Sequence, residues 1–274
     1  DAVSTSEDAA LLVEVADGLI HDNDTDPDSD PLQISAVAGH TWVSGVPITL
    51  GSGAVLTLNA DGSYSYDPNG QFEDLAVGET GSDSFTYTIS DGNGGTDTAT
   101  VNLTINGVND APNALDKMGV TDQVTVLSVD ANNGVIDTND TDPDASDTLV
   151  VAAVNGTAAD VGSQITLASG ALLTLQADGS YDYDPNSSFD TLAVGATATD
   201  SFAYTVSDGN GGTDTATVNI TIEGSNDGPI ARDDSFSANE DHAIEGNVLN
   251  NASSDADSDI DGDNLTVNET PVCG

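Results

Sequence analysis

Three stretches of this sequence place an aspartate at every second position. Asp24, Asp26 and Asp28 form the first, Asp140, Asp142 and Asp144 the second, and Asp255, Asp257 and Asp259 the third. Alternating carboxylates in a loop can converge on one point, and Ca²⁺ takes roughly six to eight oxygens from carboxylates, amide and backbone carbonyls and water. Without a cation the same residues repel one another. At ~6 Å and an effective dielectric of about 40, each pair costs on the order of 1 kcal/mol before salt screening. Several pairs would consume much of a domain stability of about 5–15 kcal/mol. Asn109-Asp110 precedes Ala111-Pro112, and Asn226-Asp227 precedes Gly228-Pro229. Held extended ahead of proline, such a pair offers one amide carbonyl and one carboxylate.

Other chemistry finds less support. His21, His40 and His242 are scattered and none recurs at an equivalent place in another copy of the repeat described below. No Cys–His, Ser–His or zinc-type spacing occurs. Carboxylate pairs of the kind glycosidases use are abundant, but no other feature points to an enzyme, and none is expected. The run from Asp257 to Gly262 imitates the start of an EF-hand loop, yet its twelfth position is Asn268, with Glu269 one place late and no flanking helical pattern. Gly94-Gly95-Thr96-Asp97 resembles a β-roll nonapeptide but is not repeated in tandem.

The 274 residues include 48 acidic and only two basic side chains, Lys117 and Arg232, for a formal net charge of −46. That balance excludes nucleic-acid binding, which needs basic groups to displace counterions from phosphates, and argues against anionic membrane surfaces. No run of 18 apolar residues is present, so no membrane insertion is expected. The chain starts at Asp1 with no signal-peptide pattern, which reads as a processed chain or a fragment. Cys273 is the single cysteine, so no intrachain disulfide can form. An apolar fraction of 37% is too high for a solvating tail, and the apolar residues alternate, so a folded chain neutralised by cations is expected.

The elements that must position these residues are set by a repeat. Residues 84–110 recur at 201–227 with 22 of 27 positions identical, an offset of 117. The block Asp61–Asn69 recurs at Asp178–Asn186 with the same offset, whereas residues 23–28 recur at 139–144, an offset of 116. One residue has therefore entered just after the acidic loop. A third copy starts near Asp227, with Glu240 and the last aspartate run. The organisation read from this is residues 1–109, residues 110–226 and an incomplete third repeat at 227–274. A period of this length suits independently folded sandwiches rather than a solenoid. Phe85, Tyr87 and Ile89, like Val101, Leu103 and Ile105, alternate with polar residues as half-buried strands do. Asp91–Gly95 between them reads as a hairpin turn. Leu19-Ile20, Val135-Ile136 and Val248-Leu249 are expected as strands leading into the acidic loops. Tyr64, Tyr66, Phe72, Phe85 and Tyr87, and their counterparts Tyr181, Tyr183, Phe189, Phe202 and Tyr204, are expected in the cores. Trp42, unmatched in the second copy, is the one aromatic suspected of binding a ligand.

DGSYxYDPN, then DSFxYTxSDGNGGTDTATVNxTI, then Asn109-Asp110-Ala111-Pro112, together resemble the bacterial cadherin-like and VCBS-type Ig-like repeats of large type I-secreted (RTX) adhesins. The resemblance implies an all-β fold: Greek-key β-sandwich domains, Ig-like or cadherin-like, in an extended tandem array. It also implies Ca²⁺ at the junctions. In such arrays the junction draws on the linker, the end of the preceding domain and an Asp-x-Asp loop of the following one. Carried over, the first junction uses Asp91 or Asp97, Asn109, Asp110, Asp140 and Asp142. The second uses Asp208 or Asp214, Asn226, Asp227, Asp255 and Asp257. Glu7 and Glu240 match the family's acidic residue near the domain start, where the second repeat has Asp122 or Gln123. Three roles follow for an extracellular or cell-surface chain. One is a calcium-rigidified stalk of an adhesin in cell adhesion or biofilm, whose partners are the neighbouring repeats. The second is a module binding host or biofilm glycans or a protein through Trp42 or the loop at 155–163. The third is a self-associating filament or surface-layer subunit.

Overall fold

The computed structural model describes residues 2–22, 24–38, 40–249 and 256–267. In the first copy these form β1 (Ala2–Ser6), β2 (Leu11–Val13), β3 (Gln33–Val37), β4 (Ile48–Thr49), β5 (Val55–Leu58), β6 (Tyr64–Asp67), β7 (Thr80–Ser90) and β8 (Thr96–Asn106). The second copy forms β9 (Lys117–Asp122), β10 (Leu127–Val129), β11 (Val150–Val154), β12 (Gln164–Thr166), β13 (Leu172–Leu175), β14 (Tyr181–Asp184), β15 (Thr197–Ser207) and β16 (Thr213–Glu223). Each copy has two four-stranded sheets, in the orders β1-β8-β7-β3 and β2-β6-β5-β4, then β9-β16-β15-β11 and β10-β14-β13-β12. The fold is all-β, as the alternation requires. By contacts the chain divides into two compact units. One comprises Asp1–Asn113 with Thr141–Leu149 and Ser207–Asp214; the other comprises Ala114–Asp140 with Val150–Val206 and Thr215–Gly274.

Sheet assembly follows from the period-two pattern. β7 and β8 pair antiparallel along their whole length, from Thr80↔Asn106 to Ser90↔Thr96. Their inward residues Phe85, Tyr87, Val101, Leu103 and Ile105 are buried, while the intervening threonines and asparagines face out. The facing sheet contributes Leu56, Leu58, Tyr64 and Tyr66 to the same core. Each such side chain contributes about 1.5–3 kcal/mol on burial. Tyr64 meets Phe85 edge-on with ring centroids 5.5 Å apart, and Tyr181 meets Phe202 at the same distance. β1 and β9 run in the same direction as their neighbours: β1 is parallel to β8 from Ala2↔Asn102 to Ser6↔Asn106, and β9 is parallel to β16 from Lys117↔Val218 to Asp122↔Glu223.

The turn at Asp91–Gly95 has the expected form. The Asp91 carboxylate accepts from the backbone N–H of Asn93 and Gly95, and Gly92 and Gly94 take positive φ. The expected strands ahead of the acidic loops are not there. Leu19–Asp22 is a single helical turn, and Val135-Ile136 and Val248-Leu249 lie in turns and bends. Gly18 explains the first case, since a Cβ there would stand 2.7 Å from the Gly62 carbonyl oxygen. The chain crosses the β5–β6 turn at close range, fixed by the Leu19 N–H on the Gly62 carbonyl, and drops Leu19 into the core. Val135 and Gly179 repeat this contact in the second copy. A lone apolar pair used as a plug has no second face and no strand partner.

The inserted residue is located by two matching bonds. Asn93 Nδ2 donates to Asp30 and Asn210 Nδ2 donates to Asp147, both across 63 residues. The extra residue therefore lies before Asp147, within Ala145-Ser146.

Candidate metal centre

Seven acidic residues form three overlapping triads in the first unit. Glu7, Asp110 and Asp144 each offer a carboxylate oxygen within 4.8 Å of the others; so do Asp8, Glu73 and Asp110, and so do Asp142, Asp144 and Asp147. Glu7 follows directly on β1, Asp110 lies four residues after β8, and Asp142–Asp147 occupy the Asp-Pro-Asp loop. Asp208 adjoins them, accepting from Asn109 Nδ2 at 3.0 Å. Neither Lys117 nor Arg232 belongs to this unit, so no lysine or arginine within it neutralises the group.

Backbone donors anchor one oxygen of several carboxylates and leave the other free. The Val108 N–H donates to Glu7 Oε1 at 2.7 Å, the Asp110 N–H to Asp144 Oδ2 at 3.0 Å, and the Asp144 N–H to Asp142 Oδ1 at 2.9 Å. The remaining oxygens, Glu7 Oε2, Asp144 Oδ1 and Asp142 Oδ2, join Asp110 Oδ2 and Asn109 Oδ1 as buried atoms with no hydrogen-bond donor. Glu7 is 2% and Asp144 1% exposed. A buried carboxylate oxygen without a donor or cation is strongly unfavourable, and four of them beside one amide oxygen mark a place for a positive charge. The donors are all oxygen, without cysteine or histidine, which suits Ca²⁺ and not Zn²⁺.

The proton affinities follow from the same crowding. Burial pushes Glu7 above the usual glutamate value, against the Val108 hydrogen bond, with Asp110, Glu73 and Asp144 adding to the rise. Asp110 is raised by burial and by Asp8 and Asp144, and Asp142 chiefly by burial. Glu73 is raised by burial and by Asp110. Asp208 goes the other way: burial raises it, but Asn109 and the N–H groups of Asn210, Gly211 and Gly212 outweigh that and lower it.

Of the residues singled out from sequence, the structure brings Glu7, Asn109, Asp110, Asp142 and Asp144 together, and Asp208, expected at the second junction, stands beside Asn109 of the first, where Asp91 or Asp97 was expected. Asp140 turns inward instead. It accepts from the Leu115 and Asp137 N–H groups and pairs with Lys117 Nζ at 3.0 Å. Asp24, its counterpart, accepts from the Tyr87 hydroxyl at 3.0 Å. Asp91 and Asp97 line a cleft with Thr25, Asp26 and Pro27 and join no acidic triad among the described residues. Asp28 is exposed, and its N–H donates to Asp26. Asp214 is half-buried at the start of β16.

The third copy is in a different register from the one expected. The Asp227 N–H donates to Asp261 across 34 residues, as Asp110 does to Asp144, and the Arg232 N–H donates to Asp257 across 25 residues, as Leu115 does to Asp140. The counterparts of Asp140, Asp142 and Asp144 are thus Asp257, Asp259 and Asp261, and Asp259, Asp261 and Asp263 form a triad. Asp255 lies outside the described residues. Asn226 is exposed and Nδ2 donates to the Asp227 carbonyl; Glu240 is exposed and joins no triad among the described residues.

Asp8, Glu73 and Asp147 were not anticipated. The signal for Glu73 is faint: an acid follows the phenylalanine in both copies, Phe72-Glu73 and Phe189-Asp190. Trp42 is half-buried. Its Nε1–H donates to the Leu58 carbonyl at 3.2 Å and its ring packs on the core.

Comparison with known proteins agrees with this architecture. Residues 1–107 and 109–224 match the family described as bacterial cadherin-like domain, and residues 226–273 match the bacterial Ig domain. A calcium-binding lectin, RapA2 of Rhizobium johnstonii, is 39% identical over 109 residues, covering 37% of this chain and 42% of the lectin. Among solved structures, human CDH23 EC21-23 is similar at a TM-score of 0.47 and 16% identity, covering 94% of this chain and 78% of that one. Drosophila N-cadherin EC1-4 is similar at 0.41 and 13%, covering 84% and 49%. The chain thus spans less than half the length of the lectin and of the N-cadherin fragment. With the family matched over both full copies, the chain belongs to the bacterial cadherin-like domain family.

Proposed function

We propose that this chain is part of the stalk of an extracellular bacterial adhesin, built from cadherin-like sandwiches at residues 1–109 and 110–226 and the start of a third at 227–274, and held rigid by Ca²⁺. The observation that carries this reading is the set of five buried, donorless oxygens on Glu7, Asn109, Asp110, Asp142 and Asp144. Those residues would hold the ion, with Asp8, Glu73, Asp147 and Asp208 around it. The ion supplies the positive charge that the cluster lacks. The calcium named for the RapA2 relative supports the same choice. The repeats suit the spacer region of a large RTX-type secreted adhesin acting in attachment or biofilm.

Thermal unfolding in Ca²⁺ and in chelator tests the calcium. An ion that binds the folded state stabilises it by about 2.7 kcal/mol at a hundredfold excess over Kd, so the midpoint rises by several degrees. An equal midpoint in both conditions would falsify the reading. Small-angle scattering tests the stalk: the maximum dimension is expected to spread or shrink in chelator, and an unchanged profile removes rigidification as the role.

A further inference from the structure

Gln123 occupies in the second copy the place of Glu7 in the first. The Val108 N–H donates to Glu7 Oε1 across 101 residues, and the Ser225 N–H donates to Gln123 Oε1 across 102. Both side chains are buried, Gln123 at 1% exposure. They differ in the second terminal atom. Glu7 Oε2 is an acceptor with no donor, whereas Gln123 Nε2 donates to the Ser225 carbonyl at 3.2 Å and to Asp227 Oδ2 at 2.9 Å. Asp227 is the counterpart of Asp110, whose Oδ2 is buried without a donor. The neighbouring acids thin out as well, since Asp8 has Val124 as its counterpart. The acidic loop is otherwise conserved in geometry: the Asp227 N–H reaches Asp261 at 2.7 Å and the Asp261 N–H reaches Asp259 at 3.0 Å.

We propose that Gln123 replaces a cation ligand by a hydrogen-bond donor, so that the second acidic cluster holds Asp227 without an ion and takes up one cation fewer than the first, while Asp261 Oδ1, buried without a donor, and the triad of Asp259, Asp261 and Asp263 stay open to a cation. This rests on the calcium reading of the Glu7 cluster. A glutamine oxygen could ligate a cation, but here it is engaged by the Ser225 N–H, and its amide nitrogen places a partial positive charge against Asp227. That amide does for Asp227 what an ion would do for Asp110, with no dependence on free calcium. One chain then carries two acidic clusters that differ by one cation ligand, and the one at Glu7 depends on calcium more strongly than the one at Gln123.

The test compares wild type, Gln123→Glu and Glu7→Gln, each stripped with chelator. Calcium uptake is measured by titration calorimetry, and thermal midpoints are measured with and without calcium. Gln123→Glu is expected to bind at least one ion more than wild type and to unfold at a lower midpoint in chelator. Glu7→Gln is expected to bind at least one ion fewer and, because its amide can reach Asp110, to be more stable than wild type in chelator and less stable in calcium. Should Gln123→Glu fail to fold without the ion, the Glu7→Gln crossover carries the decision alone. An unchanged ion count in Gln123→Glu, or a Glu7→Gln midpoint below wild type in chelator, overturns the inference and leaves the calcium reading standing. No calcium uptake by wild type overturns both.

Discussion

Asp24 and Asp140 stand at the same place in two copies of one sandwich, yet different groups compensate them. In the first copy the Tyr87 hydroxyl donates to Asp24. In the second, Lys117 bridges Asp137 and Asp140 at 3.0 Å each, and the Tyr204 hydroxyl donates to the Leu115 carbonyl at 2.8 Å. The sheets around them have the same strand order and the same aromatic contact. Packing fixes the scaffold closely, because a methylene misplaced in a core is felt at once. The partner of a carboxylate is set loosely, because a hydroxyl, an ammonium or backbone N–H groups can each serve.

The largest effects are expected in the cores. Leu56→Ala and Leu173→Ala remove fully buried counterparts, and each is expected to cost about 2–5 kcal/mol. Chemical denaturation that gives costs differing by more than about 2 kcal/mol within that range would show that the scaffolds are not equivalent. Next comes Lys117→Met. The Asp140 side chain is 0% exposed, and removing one partner of a buried pair costs about 3 kcal/mol or more. A loss of under about 1 kcal/mol would mean that the two backbone donors already satisfy Asp140. Tyr87→Phe, which removes a donor to a charged acceptor, is expected to cost about 1.5 kcal/mol, and Tyr204→Phe about 1 kcal/mol. The reverse order would undo the distinction between the copies.

The smallest effect is a pH dependence of the cation-free protein. Glu7, Glu73, Asp110 and Asp142 have folded values raised above their unfolded 4.5 and 3.8. The native state therefore holds more protons, and their contribution is full below those values and lost as pH rises through the raised ones. Asp61, Asp122, Asp137, Asp178 and Asp208 are lowered. Their contribution is present above 3.8 and lost as pH falls through the lowered values. Cation-free midpoints are thus expected to decline above about pH 4 for the first group, and saturating calcium should abolish that decline. A midpoint that climbs with pH above about pH 4 in the absence of calcium would contradict it.

The sequence made the repeat, the paired strands and the hairpin turns legible because each is a local or periodic signal. It did not reveal which aspartate of an alternating run faces where. Asp140, Asp142 and Asp144 share one spacing, but the first turns to Lys117 and the Leu115 and Asp137 N–H groups and the others to the cluster. Asp91 and Asp208 sit in identical turns, yet only Asp208 meets Asn109. Their difference lies in what the rest of the chain brings to each. The run from Asp255 to Asp263 admits several registers, and only long-range bonds select Asp257, Asp259 and Asp261. Glu73 stands 37 positions before Asp110, too far for any spacing rule.

The parallel pairing of β1 with β8 has a mechanical consequence. The chain enters the first copy through β1 and leaves through β8, and both strands point the same way. A pull on the two ends draws these strands past each other along their axes. The bonds from Ala2↔Asn102 to Ser6↔Asn106 are then strained together in shear rather than peeled one by one, and the ladder from Lys117↔Val218 to Asp122↔Glu223 meets tension in the same manner.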